Sequence, residues 1–185
     1  GVHAISGVPL AAGILVATAR MDPVLRRSNF DIRVERLPIQ DAVEQMGQPD
    51  VLGLSLYPWN AAYSLAVAVQ ARQAHPQALI VAGGPAVPRQ PESVRAFMEA
   101  NPGLDVLVFG EGELIFRDLL RAIHDGTELT EIPAMALREP DGSIHFTGPE
   151  VRVQDFSQTG SPYLDGTFEA LLGAHPERFA MALIE

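Results

Sequence analysis

Cysteine and lysine are both absent from this 185-residue sequence. Without cysteine, these residues contain no thiol nucleophile, no disulfide and no thiolate ligand for a metal cluster. All 13 residues of the Lys and Arg class are arginine, so the chain has no lysine for a Schiff base, a P-loop or the pocket of a phospho-acceptor receiver domain. The two absences exclude several common chemistries from this stretch of protein.

Positive charge and long apolar runs are also scarce. The 13 cations stand against 23 acidic residues, and the resulting net charge of -10 argues against nucleic acid or an anionic membrane surface as a partner. No apolar run approaches the roughly 20 residues of a membrane span, and we expect no signal peptide. We therefore expect a cytoplasmic location. The hydrophobic content of 47% is typical of a packed globular domain.

Three apolar runs of the sequence end in small residues. These ends are Ser55, Gly83-Gly84-Pro85 and Gly110-Glu111-Gly112. Helical stretches separate the runs, which therefore predict parallel strands joined by right-handed crossovers. Because the carboxyl ends of parallel strands meet at one edge of a sheet, open α/β folds bind their ligands there. Adjacent glycines at that edge allow the backbone to approach a flat, bulky ligand.

The middle of the sequence alternates predicted strands with predicted helices. The strands are predicted at residues 51–56, 78–82 and 105–109, and the helices at residues 61–74, 91–100 and 113–124. Asn60 stands where it can cap the first of these helices. This order predicts an α/β fold with a doubly wound parallel sheet, similar to flavodoxin and Rossmann folds, and helices on both faces.

The first 50 residues predict an apolar helix at residues 9–25, an edge strand at residues 31–37 and a short helix at residues 41–46. Residues 31–37 alternate polar and apolar side chains, which is typical of a strand with one wet face. A doubly wound domain begins with a buried strand, whereas residues 1–8 are too short and too rich in glycine to form one. We therefore expect the first strand to lie upstream of Gly1.

The sequence becomes more polar after His124. The elements predicted there are a hairpin of residues 134–138 and 144–146, a linker of residues 147–162, a short helix of residues 167–173 and a strand of residues 179–184. We expect an α/β domain over residues 1–148, with residues 132–148 as a hairpin extension. Residues 149–185 would be a linker and the start of a second domain.

The spacing of Ser55 and Gly83-Gly84 resembles the SxL…GG signature of cobalamin-binding domains, although Tyr57 stands where the signature has Leu. In that family the serine and the glycines line a slot for the dimethylbenzimidazole tail of the cofactor. A buried base needs a hydroxyl partner for its ring nitrogen, and a side chain larger than glycine would fill the slot. The resemblance implies this role for Ser55, Gly83 and Gly84.

The second half of the family signature, DxHxxG, is almost absent. At residues 8–13 the chain keeps only its final glycine, Gly13, and His3 lacks the required neighbours. The resemblance therefore implies a cobalamin without a histidine lower ligand. His75, His124, His145 and His175 show no metal-binding spacing and are expected to be solvated.

Longer stretches resemble the N-terminal domain of cobalamin-dependent radical SAM enzymes of the methylase class. These stretches are residues 53–60, 83–85, 109–116, 161–166 and 182–185. The cofactor-binding residues that the resemblance implies are Ser55, Leu56, Tyr57, Pro58, Trp59, Asn60, Gly83, Gly84, Pro85, Gly110, Glu111 and Gly112. It implies no catalytic residue and no metal ligand in this chain. Trp59, the only Trp, is expected to contact the cofactor rather than only to pack.

The same resemblance implies a parent enzyme with a 4Fe-4S cluster and S-adenosylmethionine on a C-terminal radical SAM barrel, of which residues 149–185 would be the beginning. Such enzymes transfer a methyl group from S-adenosylmethionine to an unactivated carbon of a small molecule. The cofactor supplies the reactive centre, so this domain would bind and tune it.

Two other functions stay open at this stage. A flavodoxin-like module could bind FMN or another nucleotide through the same loops, but phosphate capture favours a hydroxyl- and glycine-rich loop at a helix N-terminus. A receiver-type interaction domain would need the lysine and the acidic cluster that this sequence lacks.

Overall fold

One mixed sheet of five strands forms the centre of the computed structural model, which describes residues 9–150 and 152–174. The strands are β1 (Val51–Ser55), β2 (Leu79–Gly83), β3 (Val106–Val108), β4 (Met135–Arg138) and β5 (Ile144–Phe146). They lie side by side in chain order, with β1, β2 and β3 parallel and β4 and β5 antiparallel. The predicted parallel strands and the predicted hairpin are both confirmed, and the hairpin extends the sheet beyond β3.

The helices agree closely with the sequence prediction. They are α1 (Leu10–Met21), α2 (Ile39–Glu44), α3 (Ala61–Ala74), α4 (Pro91–Ala100), α5 (Gly112–Asp125) and α6 (Glu169–Ala174). The first helix ends earlier than predicted because Asp22 starts a new turn, in which its carboxylate accepts hydrogen bonds from the backbone N–H groups of Val24 and Leu25. Within the described ranges, no helix is long and apolar enough to cross a membrane.

Hydrophobic clusters cover both faces of the sheet. Ile80 and Ala82 of β2 belong to the cluster that also contains side chains of α3 and α4. Val81 points to the opposite face, where its cluster contains Ile115 and Leu119 of α5. Because neighbouring strand residues face opposite sides, the buried run of β2 needs helices on both faces. The doubly wound arrangement is therefore confirmed.

Residues 160–168 pack against α1, which itself lies beside α5. A Cβ atom on Gly13 would stand 2.3 Å from the Phe168 ring, and a Cβ atom on Gly160 would stand 2.4 Å from the Ala17 backbone. The Gly160 N–H donates to the Thr18 hydroxyl at 3.0 Å. Phe168 is completely buried as a result. No pattern in the sequence predicts this contact, since it joins residues about 150 positions apart.

The strand predicted at residues 31–37 is wrong. Exposed and half-buried residues alternate only from Asp31 to Glu35, and the backbone of the segment joins no ladder. No strand of the described chain lies beside them to supply hydrogen bonds, because β1 pairs only with β2. The segment is instead held by side chains, since the Tyr63 hydroxyl donates to the Leu37 carbonyl at 2.9 Å. The strand predicted at residues 179–184 lies outside the described residues.

Strand β1 forms one of the two edges of the sheet. Val51, Leu52 and Leu54 are only half-buried there, and Gly53 is exposed. An apolar edge strand with free backbone groups is a ready site for a further strand. The upstream strand expected from the sequence would fit this edge, and it stays a prediction.

Arginine side chains tie together the end of the sheet at which the parallel strands begin. Arg72 of α3 pairs with Asp105, whose carboxylate also accepts a hydrogen bond from the Ile80 N–H at 2.7 Å. Arg138 donates to the carbonyls of Leu104 at 2.9 Å and Met98 at 2.7 Å, near the end of α4. The Ile80 N–H and the carbonyls of Leu104 and Met98 are therefore bonded to side chains of the chain itself.

Candidate functional site

The opposite end of the sheet carries the residues singled out in the sequence. Parallel pairing sets Ser55 beside Gly83 and Gly83 beside Val108, so the carboxyl ends of β1, β2 and β3 form one row. The loops that follow these strands start from that row. The first two of the predicted motifs are thus brought together, as the parallel arrangement predicted.

The loop after β1 is joined to the loop after β2 through Leu56. The Leu56 N–H donates to the Gly83 carbonyl at 2.7 Å, and the Leu56 carbonyl accepts from the Ala86 N–H at 3.0 Å. The Leu56 side chain is fully buried. Leu56 is therefore an anchor that sets the spacing of the two loops, and its side chain points into the core.

Asn60 closes the loop after β1. Its side-chain oxygen accepts from the Tyr57 N–H at 2.8 Å, and its side-chain nitrogen donates to the Ser55 carbonyl at 2.9 Å. Asn60 occupies the N-cap position of α3, but its side chain makes no capping bond to the helix. The predicted cap is wrong because the same oxygen is used within the loop.

The Ser55 hydroxyl makes no hydrogen bond to any residue that the structure describes, whereas the Ser55 carbonyl accepts one from the Asn60 side chain at 2.9 Å. Ser55 is half-buried at the end of β1, beside Gly83. Its hydroxyl is therefore available as a donor or acceptor at the row of strand ends. A strand-end serine that only satisfied the local backbone would have used this group.

The two glycines after β2 differ in what the fold requires of them. Gly84 has φ +108, and a Cβ atom there would lie 2.8 Å from the Leu56 carbonyl oxygen, so glycine is needed for the loop to close. A Cβ atom on Gly83 would lie 3.5 Å from the Val108 Cβ atom, which is ordinary contact. The chain therefore leaves room beside Gly83 that its own fold does not use.

Trp59 is the most exposed aromatic feature of this end of the sheet. Its side chain is 73% exposed and stacks on Tyr57, with ring centroids 4.7 Å apart and an interplanar angle of 17°. The Trp59 carbonyl accepts a hydrogen bond from the Arg36 guanidinium at 3.1 Å. Pro58 between the two rings in sequence is exposed, as is Pro85 of the neighbouring loop. The Trp59 ring and these two prolines are therefore apolar groups exposed to solvent.

The third loop faces the later part of the chain. The Glu111 carboxylate accepts from the Val153 N–H at 2.5 Å, and Glu150 pairs with Arg89 of the second loop at 3.1 Å. Gly110 has φ +67, and a Cβ atom on it would meet the Glu150 side chain. Gly112 is the first residue of α5 and packs near Leu15. Residues 150 and 153 thus lie across this loop, a contact that the sequence did not signal.

Histidine is absent from the three loops, which comprise residues 56–60, 84–90 and 109–111. His75 follows α3 at the other end of the sheet, and His124 and His145 are exposed. In the part of the chain that the structure describes, no three His, Cys, Asp or Glu side chains cluster in a way that could hold a metal ion.

The arrangement agrees with comparisons of the whole chain. A family model described as "B12 binding domain" matches residues 7–120. The 2-(S-pantetheinyl)-carbapenam-3-carboxylate methyltransferase of Streptantibioticus cattleyicolor is 35% identical over 183 residues, which are 96% of this chain and 26% of that protein. The cobalamin-dependent radical SAM methyltransferase TokK of Streptomyces tokunonensis is 35% identical over 92% of this chain and 25% of its own length. The chain thus spans about a quarter of these two relatives.

Solved structures share the fold. The radical S-adenosylmethionine methyltransferase TsrM of Kitasatospora setae, with cobalamin and a 4Fe-4S cluster bound, has a TM-score of 0.59 and 20% identity over 84% of this chain and 29% of its own. The cobalamin-dependent S-adenosylmethionine radical enzyme OxsB, with aqua-cobalamin bound, has a TM-score of 0.58 and 20% identity over 90% of this chain and 23% of its own. With the matched family model, the doubly wound sheet and the Ser55–Gly83 row, the chain belongs to the B12-binding domain family.

Proposed function

We propose that this chain binds cobalamin at the carboxyl ends of β1, β2 and β3 and presents it to a radical SAM domain. The observation that carries the proposal is the row in which the free Ser55 hydroxyl lies beside Gly83, where the fold leaves room. Ser55, Gly83 and Gly84 would line the slot for the nucleotide tail. Pro58 and Trp59 would meet the corrin, with Pro85 beside them, and Tyr57 would complete the site through its stack on Trp59.

The residues present fit this cofactor. A base nitrogen taken out of water needs a hydrogen-bond partner, and the Ser55 hydroxyl is available for it. A narrow slot needs a position without a side chain, and Gly83 is such a position that no neighbouring atom of the chain fills. A broad, flat macrocycle needs an exposed apolar surface, which Trp59 supplies.

The chemistry belongs to the cofactor, since bound cobalamin supplies a cobalt centre that can carry a methyl group. The residues of this chain bind the tail, orient the ring and exclude water. No histidine stands in the three loops. We propose that bound cobalamin would therefore take no histidine ligand from these loops and that Trp59 would shield its cobalt from water.

The remaining residues of the predicted site would have a different role. Leu56 and Asn60 shape the first loop from within, because their bonds run to neighbouring backbone groups. Gly110, Glu111 and Gly112 would approach the cofactor only through the backbone, since the Glu111 carboxylate already binds the Val153 N–H. The loop after β1 would therefore contact the cofactor, the loop after β2 would leave room for it, and the loop after β3 would border the site.

The relatives support a larger reaction for a full-length protein. The two relatives at 35% identity are named methyltransferases, and this chain spans about a quarter of each. We propose an α/β domain over residues 1–148, and a linker leading into a radical SAM domain with a 4Fe-4S cluster and S-adenosylmethionine over residues 149–185 and beyond. The product would be a small molecule methylated at an unactivated carbon, made in the cytoplasm.

Absorbance and calorimetric titration test cofactor binding directly. The purified chain is titrated with hydroxocobalamin and, separately, with FMN; corrinoid binding supports the proposal, and binding of FMN alone would overturn it in favour of a flavodoxin-like module. Ser55→Ala should weaken cobalamin binding about tenfold, the value of one buried hydrogen bond. Ser157→Ala, in an exposed turn of the chain, is the matched control and should bind like the parent.

The continuation of the gene tests the larger reaction. We expect a CxxxCxxC motif soon after Glu185, since a radical SAM cluster needs three cysteine ligands and this sequence has none. A cysteine-free continuation would overturn the radical SAM assignment and leave cobalamin binding untouched.

A further inference from the structure

We infer that Tyr57 is a positioning residue that fixes the plane of the Trp59 indole against the bound corrin. The inference rests on the proposed cobalamin site and adds to it a role for Tyr57, which would affect the cofactor through Trp59. Tyr57 stands at the position at which the family signature has Leu. A leucine cannot stack on an indole, so this departure from the signature needs a physical account.

The stack itself is the first observation. The two rings lie 4.7 Å apart at 17°, an offset face-to-face arrangement that is favourable for aromatic pairs. Trp59 is 73% exposed, so no core side chain surrounds it. An exposed indole without such a contact would sample several rotamers. The Tyr57 ring therefore limits the orientations that the Trp59 side chain can adopt.

Tyr57 can hold the Trp59 ring in place because its own backbone is fixed. Its N–H donates to the Asn60 side chain at 2.8 Å, and its carbonyl accepts from the N–H groups of Asn60 at 3.1 Å and Ala61 at 2.9 Å. It follows the fully buried Leu56. The ring of Tyr57 thus projects from a closed turn that is anchored on one side in the core and on the other in α3.

The backbone of Trp59 is held from a different segment. Arg36 donates to the Trp59 carbonyl at 3.1 Å, and its guanidinium lies 5.1 Å from the centre of the Tyr63 ring. Tyr63 in turn donates its hydroxyl to the Leu37 carbonyl. Trp59 is therefore fixed at its carbonyl by Arg36 and at its ring by Tyr57. Such preorganisation lowers the entropy that a ligand must remove on binding.

The Tyr57–Trp59 pair contributes little to the hydrophobic core. Neither ring belongs to the buried clusters on the two faces of the sheet. A stacked pair held at the surface beside a row of strand ends, with a free hydroxyl and unused room nearby, is arranged for a ligand. Its plane decides which part of a flat macrocycle the indole covers.

The single Trp makes the test direct, because Trp59 alone reports in fluorescence. Tyr57→Leu, which restores the residue of the signature, should raise acrylamide quenching of the cofactor-free chain about twofold, because losing the stack frees the exposed indole. Tyr57→Phe keeps a ring and should behave like the parent. Tyr163→Leu is the matched control, since Tyr163 packs edge-on against Phe168 with centroids 5.2 Å apart and not against Trp59.

A second measurement uses the cobalamin-loaded chain after one-electron reduction to cob(II)alamin with a chemical reductant. Electron paramagnetic resonance of Tyr57→Leu should show a mixture of four- and five-coordinate cob(II)alamin, because an unfixed indole covers the cobalt only part of the time. In a Trp59→Ala background, Tyr57→Leu should add no further change, as expected for a residue that acts through Trp59.

The outcomes separate the two proposals. If the parent binds cobalamin and Tyr57→Leu alters neither the quenching nor the spectrum, the positioning role is overturned and the proposed function stands. An additive effect in the Trp59→Ala background would also overturn it, since Tyr57 would then act on the cofactor directly. If the parent binds no cobalamin, the proposed function fails and the positioning role fails with it.

Discussion

The two ends of the parallel strands are built on opposite plans. Where the strands begin, Arg72 and Asp105 form an ion pair, and Asp105 and Arg138 form hydrogen bonds with backbone groups of the chain. Where they end, the Ser55 hydroxyl has no partner in the described structure, and Trp59 faces solvent. The first end consolidates the fold, and the second leaves groups available for a ligand. Substitutions at the two ends should therefore separate stability from affinity.

Arg138→Ala should produce the largest effect. The guanidinium donates to carbonyls of Leu104, Met98 and Asn101, so its removal leaves partly buried carbonyls without their charged donor. We expect the free energy of unfolding to fall by about 2–4 kcal/mol, measured by urea denaturation, with cobalamin affinity unchanged in the folded protein. Arg152→Ala, an exposed arginine, should change it by less than about 0.5 kcal/mol. Equal losses for both variants would contradict the contrast between the ends.

The adjacent glycines sharpen the contrast within a single loop. Gly84→Ala forces φ +108 on alanine and a contact with the Leu56 carbonyl, so the free energy of unfolding should fall by about 1–3 kcal/mol. Gly83→Ala should leave the free energy of unfolding within about 1 kcal/mol, yet weaken cobalamin binding about tenfold or more by filling the slot. Paired denaturation and titration measure both quantities. A Gly83→Ala variant that binds like the parent would show that the tail lies elsewhere.

Trp59→Ala should change the state of the cofactor more than its binding. Because Ser55, Gly83 and Gly84 would hold the tail, we expect cobalamin affinity to change by less than about threefold. Without the indole the cobalt would be open to water, so the electron paramagnetic resonance spectrum of the reduced, cobalamin-loaded protein should shift from four-coordinate to five-coordinate cob(II)alamin. In a full-length enzyme, methyl transfer should be slower. A spectrum identical to that of the parent would mean that Trp59 only packs on Tyr57.

Arg89→Ala should give the smallest effect. The Arg89 side chain is 68% exposed in its pair with Glu150, and exposed ion pairs contribute little because water screens them. We expect the free energy of unfolding to change by less than about 0.5 kcal/mol. A loss comparable to that of Arg138→Ala would place a stabilising charge network at the ligand end and blur the distinction between the two ends.

The sequence predicted what depends on local pattern. The apolar runs and their spacing located β1, β2 and β3, and α3 and α4 have the predicted bounds. The row of Ser55 and Gly83 followed from the parallel arrangement alone. These features depend on periodicity and on the geometry of parallel sheets, which neighbouring residues determine.

What depends on distant partners could not be predicted. Residues 31–37 have the alternation of a strand but no neighbouring strand in the described chain to pair with. Asn60 is a good cap by type, yet the turn at Tyr57 uses its side chain instead. The difference between Gly83 and Gly84 is invisible in the sequence, because it is set by the Leu56 carbonyl and by Val108.

The contact between Gly13 and Phe168 has an evolutionary consequence. The ring occupies the space where any other residue at position 13 would have a side chain, so neither position can change freely without the other. Among homologues, a larger residue at the place of Gly13 should accompany a smaller one at the place of Phe168, and the two columns of an alignment should co-vary. The last glycine of an otherwise lost cofactor signature would then be retained for packing, independently of any ligand.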